Sequence, residues 1–373
     1  MNNNQFPTWT LENSVQINDG LTQTSADGAV LAFDKKYGIM FCSYMPGRQG
    51  SYGESRGRIS LSYFPATQPT NIRFVDIAED DDVYCSMCIP LGNGRVRVIY
   101  ERHSKADRDH AVCYKDFDFL SQDLSEEKEI MVKRADGTLS KLCLSEVYAY
   151  LDSKGLHNYK YCPTEQWATC APFVHKDGKA YAAYTTVYSE PVLYRSSDNF
   201  ATVEFFAAYP KPVEYEFGFR ILDGKIYAIY RTENQVGSIH CTTSDDMGET
   251  WSEAIAIENS IPCRPGIVVH KNKILISYNH YNEDTGSRPK IQQARTSIRF
   301  KYGVNGNPSN YPIVGEVYRK YGTVNTSMID ILNDVYFAFS TSEAALENHN
   351  GNPIVRGKDA IRYVKLGDVD TWK

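Results

Sequence analysis

The sequence predicts an all-β protein, a six-bladed β-propeller of four-stranded antiparallel blades. Three observations favour this fold class. One hairpin pattern recurs along the chain, its copies are spaced by about the length of a propeller blade, and helical periodicity is confined to one short segment at 144–154. In each copy a short apolar strand leads into a tight turn at Gly, Asn or Asp, and a second strand rich in Tyr and β-branched residues follows.

Six copies of this hairpin follow one another along the chain. In order they are AVLAFDKKYGIMFCSY (29–44), CIPLGNGRVRVIYER (88–102), APFVHKDGKAYAAYTT (171–186), FGFRILDGKIYAIYRT (217–232), GIVVHKNKILISYNH (266–280) and SMIDILNDVYFAFST (327–341). Their turns fall near 37, 93, 177, 223, 271 and 333. The last three gaps, of about 46, 48 and 62 residues, are close to the ~40–50 residues of one blade.

Further strand-like segments after the hairpins complete the four-stranded unit. Third strands are predicted at VLYRSSD (192–198), SIHCTTSDD (238–246) and KIQQARTS (290–297), and fourth strands at VEFFAAY (203–209) and AIAIE (254–258). The C-terminal AIRYVKL (360–366) is expected to close the ring with the N-terminal segment 14–17. We therefore expect one propeller domain over residues 1–373, because radial repetition leaves few exposed strand edges.

An insertion is expected around 120–165, where the gap between the second and third turns is much longer than the others. It contains the charged stretch SEEKEIMVKRADG and is interpreted as an elaborate insertion, an extra hairpin or a seventh blade. A β-sandwich and a β-helix are the alternatives to the propeller. A sandwich would lack the long repeat, and a β-helix would have a shorter one.

Composition narrows the class of partner. The net charge of −6 comes without a basic block, which disfavours nucleic acid, and no apolar run reaches the roughly 18 residues of a membrane span. The N-terminus has no signal-peptide pattern, and nine scattered cysteines do not indicate a disulfide framework. We expect a cytoplasmic protein, or a secreted or periplasmic one if a leader has been removed. The oligomeric state stays open.

The residues Ser244–Trp251 fit the pattern S-x-D-x-G-x-T-W, and a degenerate copy occupies Ser196–Thr202 in the preceding repeat. In such a turn the Asp accepts turn N–H groups, the Gly supplies an unusual backbone angle and the Trp packs on the blade. The motif resembles the Asp-box, or BNR repeat, of the sialidase-like propellers, which are carbohydrate-active. The resemblance implies that these turns lie on the rim, away from the active site.

The resemblance also implies an active face, formed by the ends of the second strands and the starts of the first strands. Candidates at the ends of second strands are Arg48, Glu101, Arg102, His103, Tyr188, Arg231, Glu233 and His280. Candidates before first strands are Tyr84, Glu165, Glu214, Tyr215, Glu216, Arg264 and Asn325.

The fourth repeat follows the sialidase pattern most fully. It has Glu214-Tyr215-Glu216 before the first strand, a turn at 223–224, Arg231 at the end of the second strand, and then the Asp-box-like turn. Arg231 thus resembles one member of the arginine triad that binds the substrate carboxylate, a role in which the guanidinium fork contacts both oxygens. The Glu-Tyr-Glu cluster is suited to activating a phenol or to acid–base chemistry.

Two family features are absent. The first triad arginine is expected in an F/Y-R-I-P motif near the N-terminus, where this chain has SADGAVLAF (25–33). The nucleophilic tyrosine is expected in the last repeat, where Asn325 stands, with Tyr321 four residues earlier as a substitute.

The leading hypothesis is a glycoside hydrolase acting on an acidic or complex glycan, without a metal or cofactor. The catalytic candidates are Glu214, Tyr215, Glu216, His103 and His280, and the substrate-binding candidates are Arg231, Arg264, Arg102, Arg48 and Tyr188. One alternative is a polysaccharide lyase, in which His or Tyr moves the proton and Arg neutralises a uronate. The other is a non-catalytic carbohydrate-binding propeller, because a fold does not by itself imply a reaction.

Overall fold

The computed structural model describes residues 6–18, 26–46, 57–80, 83–102, 109–156, 172–185, 187–214, 216–232, 236–281, 295–318, 323–342 and 359–372. These residues form six antiparallel sheets arranged around an axis as a six-bladed β-propeller. The predicted fold class is confirmed, and the sandwich and β-helix alternatives are wrong.

The strands are numbered along the chain. Two short strands come first, β1 (Thr8–Trp9) and β2 (Val15–Gln16). Blade 1 contains β3 (Ala26–Asp34), β4 (Ile39–Pro46), β5 (Arg58–Pro65) and β6 (Arg73–Glu79). Blade 2 contains β7 (Val83–Gly92), β8 (Arg95–Arg102), β9 (Ala111–Asp118), β10 (Asp123–Leu124) and β11 (Lys128–Glu129). The hairpin of β12 (Met131–Lys133) and β13 (Leu139–Lys141) and the helix α1 (Leu144–Ser153) follow.

The remaining blades repeat the same order. After α1 come β14 (Phe173–Val174), β15 (Ala180–Tyr184), β16 (Val187–Ser189), β17 (Val192–Ser196), β18 (Thr202–Ala208) and β19 (Val213–Glu214); β16 pairs with β19, and the others form blade 3. Blade 4 contains β20 (Phe217–Leu222), β21 (Lys225–Arg231), β22 (Ile239–Ser244) and β23 (Ile255–Ala256). Blade 5 contains β24 (Gly266–His270), β25 (Lys273–Tyr281), β26 (Arg295–Gly303) and β27 (Ile313–Tyr318). Blade 6 contains β28 (Thr323–Ile331), β29 (Asp334–Ser342) and β30 (Asp359–Gly367). Short 3-10 helices cover Leu11–Asn13, Pro308–Asn310 and Val369–Thr371.

The N-terminal strands close the ring. β2 pairs antiparallel with β30 and completes blade 6 as its fourth strand, as predicted. Ile17 N donates a further hydrogen bond to Ile361 O at 2.8 Å. β1 pairs in parallel with β27 and adds a fifth strand to blade 5. Blade 6 is therefore built from both ends of the chain.

The insertion is an addition to the outer edge of blade 3. The hairpin β12–β13 continues that sheet, because β12 pairs in parallel with β18. The helix α1 occupies the one segment with predicted helical periodicity. Among the residues that the structure describes, this region contains no seventh blade, and no described helix is long and apolar enough to cross a membrane.

The hairpin turns lie where the repeat predicted them. Four are two-residue turns in which both residues have positive φ: 93–94, 223–224, 271–272 and 332–333. Such turns match the right-handed twist of the flanking strands. The predicted third and fourth strands are also present. In blade 5 the third strand, β26, continues to Gly303, beyond the predicted end, and residues 290–294 of that prediction lie outside the described residues.

Buried tyrosines occupy one repeated position in five blades. Counting seven residues on from the turn positions 37, 93, 177, 223 and 271 gives a tyrosine in each of blades 1 to 5. These are Tyr44, Tyr100, Tyr184, Tyr230 and Tyr278, and the equivalent residue in blade 6 is Ser340. Tyr44, Tyr230 and Tyr278 pack in hydrophobic clusters shared with the preceding blade. Because side chains alternate along a strand, the residue after each tyrosine faces the following blade.

Two rim turns with the same hydrogen bonds stand between the third and fourth strands of blades 3 and 4. In blade 4, Asp246 accepts from the backbone N–H of Thr250 at 2.9 Å and from its hydroxyl at 2.6 Å, and Ser244 Oγ accepts from Gly248 N at 2.7 Å. In blade 3, Asp198 accepts the two corresponding bonds from Thr202, each at 2.8 Å. These bonds lower the pKa of Asp246 to about 2, with the Thr250 hydroxyl as the largest contributor.

The blade 4 turn also fastens blade 4 to blade 3. Trp251 Nε1 donates to Ala208 O at 3.2 Å, and the indole lies edge-on to Tyr209 with ring centroids 5.1 Å apart. Gly248 has a φ of 99°, and a Cβ at this position would lie 2.4 Å from Cβ of Ala207. Only glycine therefore lets the turn approach blade 3 this closely.

We expect Gly248→Ala to destabilise the protein more than Gly224→Ala does. Gly224 has a φ of 78° with open space around its missing Cβ, so its substitution should cost about 1–2 kcal/mol from backbone strain alone. Gly248→Ala adds the clash with Ala207, worth about 1–3 kcal/mol more. Urea denaturation of both variants measures the difference. Equal losses would show that the close approach to blade 3 does not matter.

Candidate functional site

The first strands of blades 1, 5 and 6 start at one end of the axis, and hydrogen bonds fasten these strands to one another around it. Ser327 Oγ, in β28, accepts from Leu31 N of β3 at 3.1 Å. The hydroxyl of Thr326 donates to Arg264 O at 3.2 Å and lies 2.9 Å from Ser277 Oγ. These bonds connect the elements that carry the candidate residues at this end of the axis.

Polar side chains lie at the same end, at the position after each repeated tyrosine and, in blade 6, after Ser340. In blade order these residues are Met45, Glu101, Thr185, Arg231, Asn279 and Thr341. All but Met45 are polar or charged. Glu101 and Thr185 have no exposed surface, and Asn279 and Thr341 are almost fully buried. Burial of polar groups is costly unless they are hydrogen-bonded, so these positions differ in chemistry from the apolar packing around them.

Glu216 and Arg231 form an ion pair at the end of blade 4. Phe217 is opposite Tyr230 in the β20–β21 hairpin, so Glu216 comes opposite Arg231. Arg231 N donates to Glu216 O at 3.0 Å, and Nη1 of Arg231 lies 3.4 Å from Oε2 of Glu216. The two side chains are only 13% and 12% exposed. The hairpin register thus fixes these two charged groups beside each other at the end of blade 4.

The side chain of Arg264 extends from blade 5 towards blade 1. Its backbone belongs to the segment before β24 in blade 5, and the residue is 6% exposed. Its Nη2 lies 3.8 Å from the position that a Cβ at Gly28 would occupy. Gly28 belongs to blade 1, and blade 6 stands between these two blades in the ring. The guanidinium therefore lies close to the start of blade 1, and a role for Arg264 in substrate binding stays a prediction.

Arg102 is held by acidic groups on the outer part of blade 2. Its Nε and Nη2 donate to Glu127 at 2.8 and 2.6 Å, and its Nη1 donates to Asp80 at 2.9 Å. Tyr100 donates to the same Glu127 from the same face of β8. A role for Arg102 in substrate binding stays a prediction, and these described contacts are those of a structural ion pair.

His280 lies near the end of β25, on the same strand face as Tyr278. Burial, helped by the positive charge of Arg299 and opposed by the negative charge of Glu316, lowers the pKa of His280 to about 4. Arg299 and Glu316 lie in β26 and β27, the outer strands of blade 5. His280 is therefore a neutral imidazole at neutral pH, and its catalytic role stays a prediction.

Several candidates cannot be placed. Arg48, His103, Glu165, Tyr215, Glu233 and Tyr321 lie outside the described residues. Tyr84, Tyr188, Glu214 and Asn325 lie in described strands, but their side chains are not described. The pairing of β16 with β19 sets Glu214 opposite Val187, the residue before Tyr188, at the junction of blades 3 and 4. Glu214 therefore lies next to the strand that carries another candidate.

Two buried residues at this end, Tyr184 and Glu190, were not among the site residues predicted from the sequence. Tyr184 and Glu190 have no exposed surface. Burial raises the pKa of Tyr184 well above its ordinary value, and the negative charge of Glu101 raises it further. Tyr184 occupies the repeated tyrosine position, which is visible in the sequence, whereas no pattern singles out Glu190.

A cavity of about 460 Å³ lies at the opposite end of the axis, and it contains none of the candidate residues. Its walls are the far ends of the first strands, including Leu31, Ile89, Arg220, Val268 and Met328. Charged groups also cluster at that end. One side-chain nitrogen or oxygen atom from each of His270, Asp368 and Asp370 lies within 4.8 Å of the others, a spacing that could hold a metal ion. Lys271 and Lys273, however, already bind the two carboxylates. This cluster is a salt-bridge network.

Solved structures of sialidases share this architecture. Trypanosoma rangeli sialidase in complex with sialic acid superimposes with a TM-score of 0.63 at 12% identity, over 96% of this chain and 60% of that one. The Hadza microbial sialidase gives a TM-score of 0.61 at 11% identity, over 95% of this chain and 68% of that one. The chain folds as a sialidase-like β-propeller.

A further likeness matches almost the whole of both proteins. The intramolecular trans-sialidase from Ruminococcus gnavus, in complex with oseltamivir carboxylate, gives a TM-score of 0.56 at 9% identity, over 93% of this chain and 96% of that one. This chain spans about three-fifths of the length of the trypanosomal sialidase that it matches. No protein-family model matches the sequence, and no curated protein does. At these identities the likeness establishes the fold.

We expect His280 to titrate with a midpoint near pH 4, against an ordinary value of 6.5. Because the unfolded chain takes up this proton first, stability should fall as the pH decreases from about 6.5 towards 4. His280→Gln should remove that part of the acid destabilisation. NMR titration of the imidazole and urea denaturation at several pH values test this, with the urea-unfolded protein as reference. A folded-state midpoint near 6.5 would contradict the burial of His280.

Proposed function

We propose that the protein is a glycoside hydrolase that acts on an acidic sugar within a complex glycan. The observation that carries the proposal is the pair of shielded guanidinium groups at one end of the axis. Arg231 is held by Glu216 at the end of blade 4, and Arg264 reaches the start of blade 1. Guanidinium groups bind a carboxylate through parallel hydrogen bonds, which selects an acidic sugar over a neutral one.

In the proposed reaction, Arg231 and Arg264 hold the carboxylate of the substrate. Glu216 contacts Arg231 at 3.4 Å and orients it. Nucleophilic attack at the anomeric carbon is assigned to Tyr215, whose phenol proton passes to Glu214, its neighbour in the sequence. The glycosidic C–O bond breaks, the leaving oxygen takes a proton from water, and a second water then hydrolyses the glycosyl–tyrosine bond. Partial burial strengthens these electrostatic contacts relative to those in water.

We interpret the rim turns at Ser196–Thr202 and Ser244–Trp251 as two copies of the Asp-box. Their equivalent hydrogen bonds and their equivalent places in blades 3 and 4 support this. The turns lie on the outer part of the blades and carry no part of the proposed chemistry.

The names of the neighbours support an acidic substrate. One of them is a sialidase in complex with sialic acid and another is a trans-sialidase in complex with oseltamivir carboxylate, and both ligands carry a carboxylate. The absence of an F/Y-R-I-P motif and the Asn325 position distinguish this chain from the family pattern. A panel of α-linked acidic glycosides is therefore the appropriate substrate set.

We expect Arg231→Ala to lower kcat/KM on the active glycoside by roughly 10–150-fold. Loss of a charge-assisted hydrogen bond costs about 1.5–3 kcal/mol, and this converts directly into kcat/KM. Arg231→Lys should recover only part of the activity, because an ammonium lacks the planar fork. The measurement is steady-state hydrolysis.

The control is Arg95→Ala, an exposed arginine beside the β7–β8 turn at the opposite end of the axis. It should leave kcat/KM unchanged. Equal rates for Arg231→Ala and wild type would remove Arg231 from the mechanism. An unsaturated, ultraviolet-absorbing product would indicate a lyase instead, and binding of the glycan without turnover would indicate a carbohydrate-binding propeller.

A further inference from the structure

His270 lies between two carboxylates at the end of the axis opposite the proposed active site. Its side chain has no exposed surface. Nδ1 lies 2.5 Å from Oδ2 of Asp330, and Nε2 lies 3.2 Å from Oδ1 of Asp368. Each ring nitrogen therefore faces a carboxylate oxygen, which can only accept a hydrogen bond when the carboxylate is ionised.

This geometry requires a protonated ring. A neutral imidazole has one N–H and can donate to only one of the two carboxylates, whereas an imidazolium donates to both. Loss of the proton would leave a ring nitrogen and a carboxylate oxygen facing each other, and two acceptors at this separation repel. With both carboxylates ionised, the two contacts of His270 are therefore favourable together only when the ring is protonated.

The neighbouring charges balance only when His270 is protonated. Lys271 binds Asp368, and it lies 3.6 Å from Asp370, which also accepts from Lys273 at 2.9 Å. Three carboxylates, those of Asp330, Asp368 and Asp370, thus face two lysines and His270. The hydroxyl of Tyr302, the other titratable group packed here, donates to the backbone oxygen of His270 at 3.2 Å.

The three bonded residues come from separate parts of the ring. His270 ends β24, the first strand of blade 5, and Asp330 lies in β28, the first strand of blade 6. Asp368 follows β30 and begins the turn of the C-terminal 3-10 helix. In the next residues the indole of Trp372 packs on Trp9 and Phe300, with ring centroids 4.7 and 5.6 Å apart. His270 thus connects blade 5, blade 6 and the C-terminal segment.

We propose that the imidazolium of His270 is a proton-dependent clasp that holds blade 6 and the C-terminal turn against blade 5. When the ring is protonated, both carboxylates are bound and the closure of the propeller is reinforced. When the proton is lost, one of the two bonds breaks and an unbalanced negative charge remains in the cluster. Alkaline pH then loosens this end of the ring first.

The direction of the pH effect follows from the surroundings. Burial lowers the pKa of His270, but the hydrogen bonds to Asp330 and Asp368 outweigh it and raise the pKa above the ordinary value of 6.5. For a raised pKa, the folded state binds more protons than the unfolded state. The stabilisation is therefore complete below about pH 6.5 and is lost as the pH rises through the folded-state pKa.

The first test is a ¹⁵N NMR titration of the histidine rings in the wild-type protein, with EDTA present to exclude metal ions. We expect His270 to retain the signals of an imidazolium, protonated at both nitrogens, at a pH where an ordinary histidine is neutral. Asp368→Asn should lower the midpoint, because the second acceptor loses its charge. A midpoint at or below 6.5 in the wild type would overturn the proposal.

The second test follows the unfolding temperature between pH 6 and 9. The wild type should lose several degrees more than His270→Gln, whose side chain does not titrate. The control His175→Gln, in the β14–β15 turn at the same end, should follow the wild-type profile. Hydrogen exchange, corrected for the intrinsic rate that rises with pH, should show lower protection of residues 359–372 in the wild type above the His270 midpoint. Parallel pH profiles for wild type and His270→Gln, or unchanged protection at 359–372, would contradict the clasp.

Discussion

The pairing of β2 with β30 turns six packed sheets into a closed ring, and every other feature depends on that closure. Each blade buries both of its faces against its neighbours, so an open ring would expose the facing surfaces of blades 1 and 6. Phe64 and Tyr363 pack across that junction with ring centroids 5.0 Å apart. Closure also sets the distance between blades that are not neighbours, and the contact of Arg264 with the start of blade 1 exists only in the closed ring.

The two ends of the axis have different chemistry because of the strand pattern. At one end, the residues that follow the repeated tyrosines are polar and largely buried except for Met45, and the two candidate arginines lie there. At the other end, the first strands finish on apolar side chains around a cavity of about 460 Å³. The salt-bridge cluster around His270 lies beside this cavity, which is lined in part by Asp330.

Local rules were sufficient to predict the hairpins, because turn chemistry and the alternation of strand side chains act over a few residues. The edge position of the β12–β13 hairpin was not predictable, since its parallel pairing with β18 joins segments about 70 residues apart. Strand-end position alone also failed to separate Glu101 from Arg102. These neighbours face opposite sides of β8, and Arg102 binds outer acidic groups while Glu101 is buried. The proximity of Arg264 to Gly28 was also not predictable, because it joins residues of two blades that are far apart in the sequence.

The repeated position after each tyrosine has an evolutionary consequence. Glu101, Thr185, Arg231, Asn279 and Thr341 are equivalent in backbone and differ only in side chain. Exchange at any one of them alters the chemistry of the axis end that carries the candidate residues without moving a strand, whereas insertion of a single residue in the same strand would turn that side chain towards the other neighbouring blade. Such a ring is therefore expected to acquire a new ligand through point substitutions at these positions and not through changes of strand length.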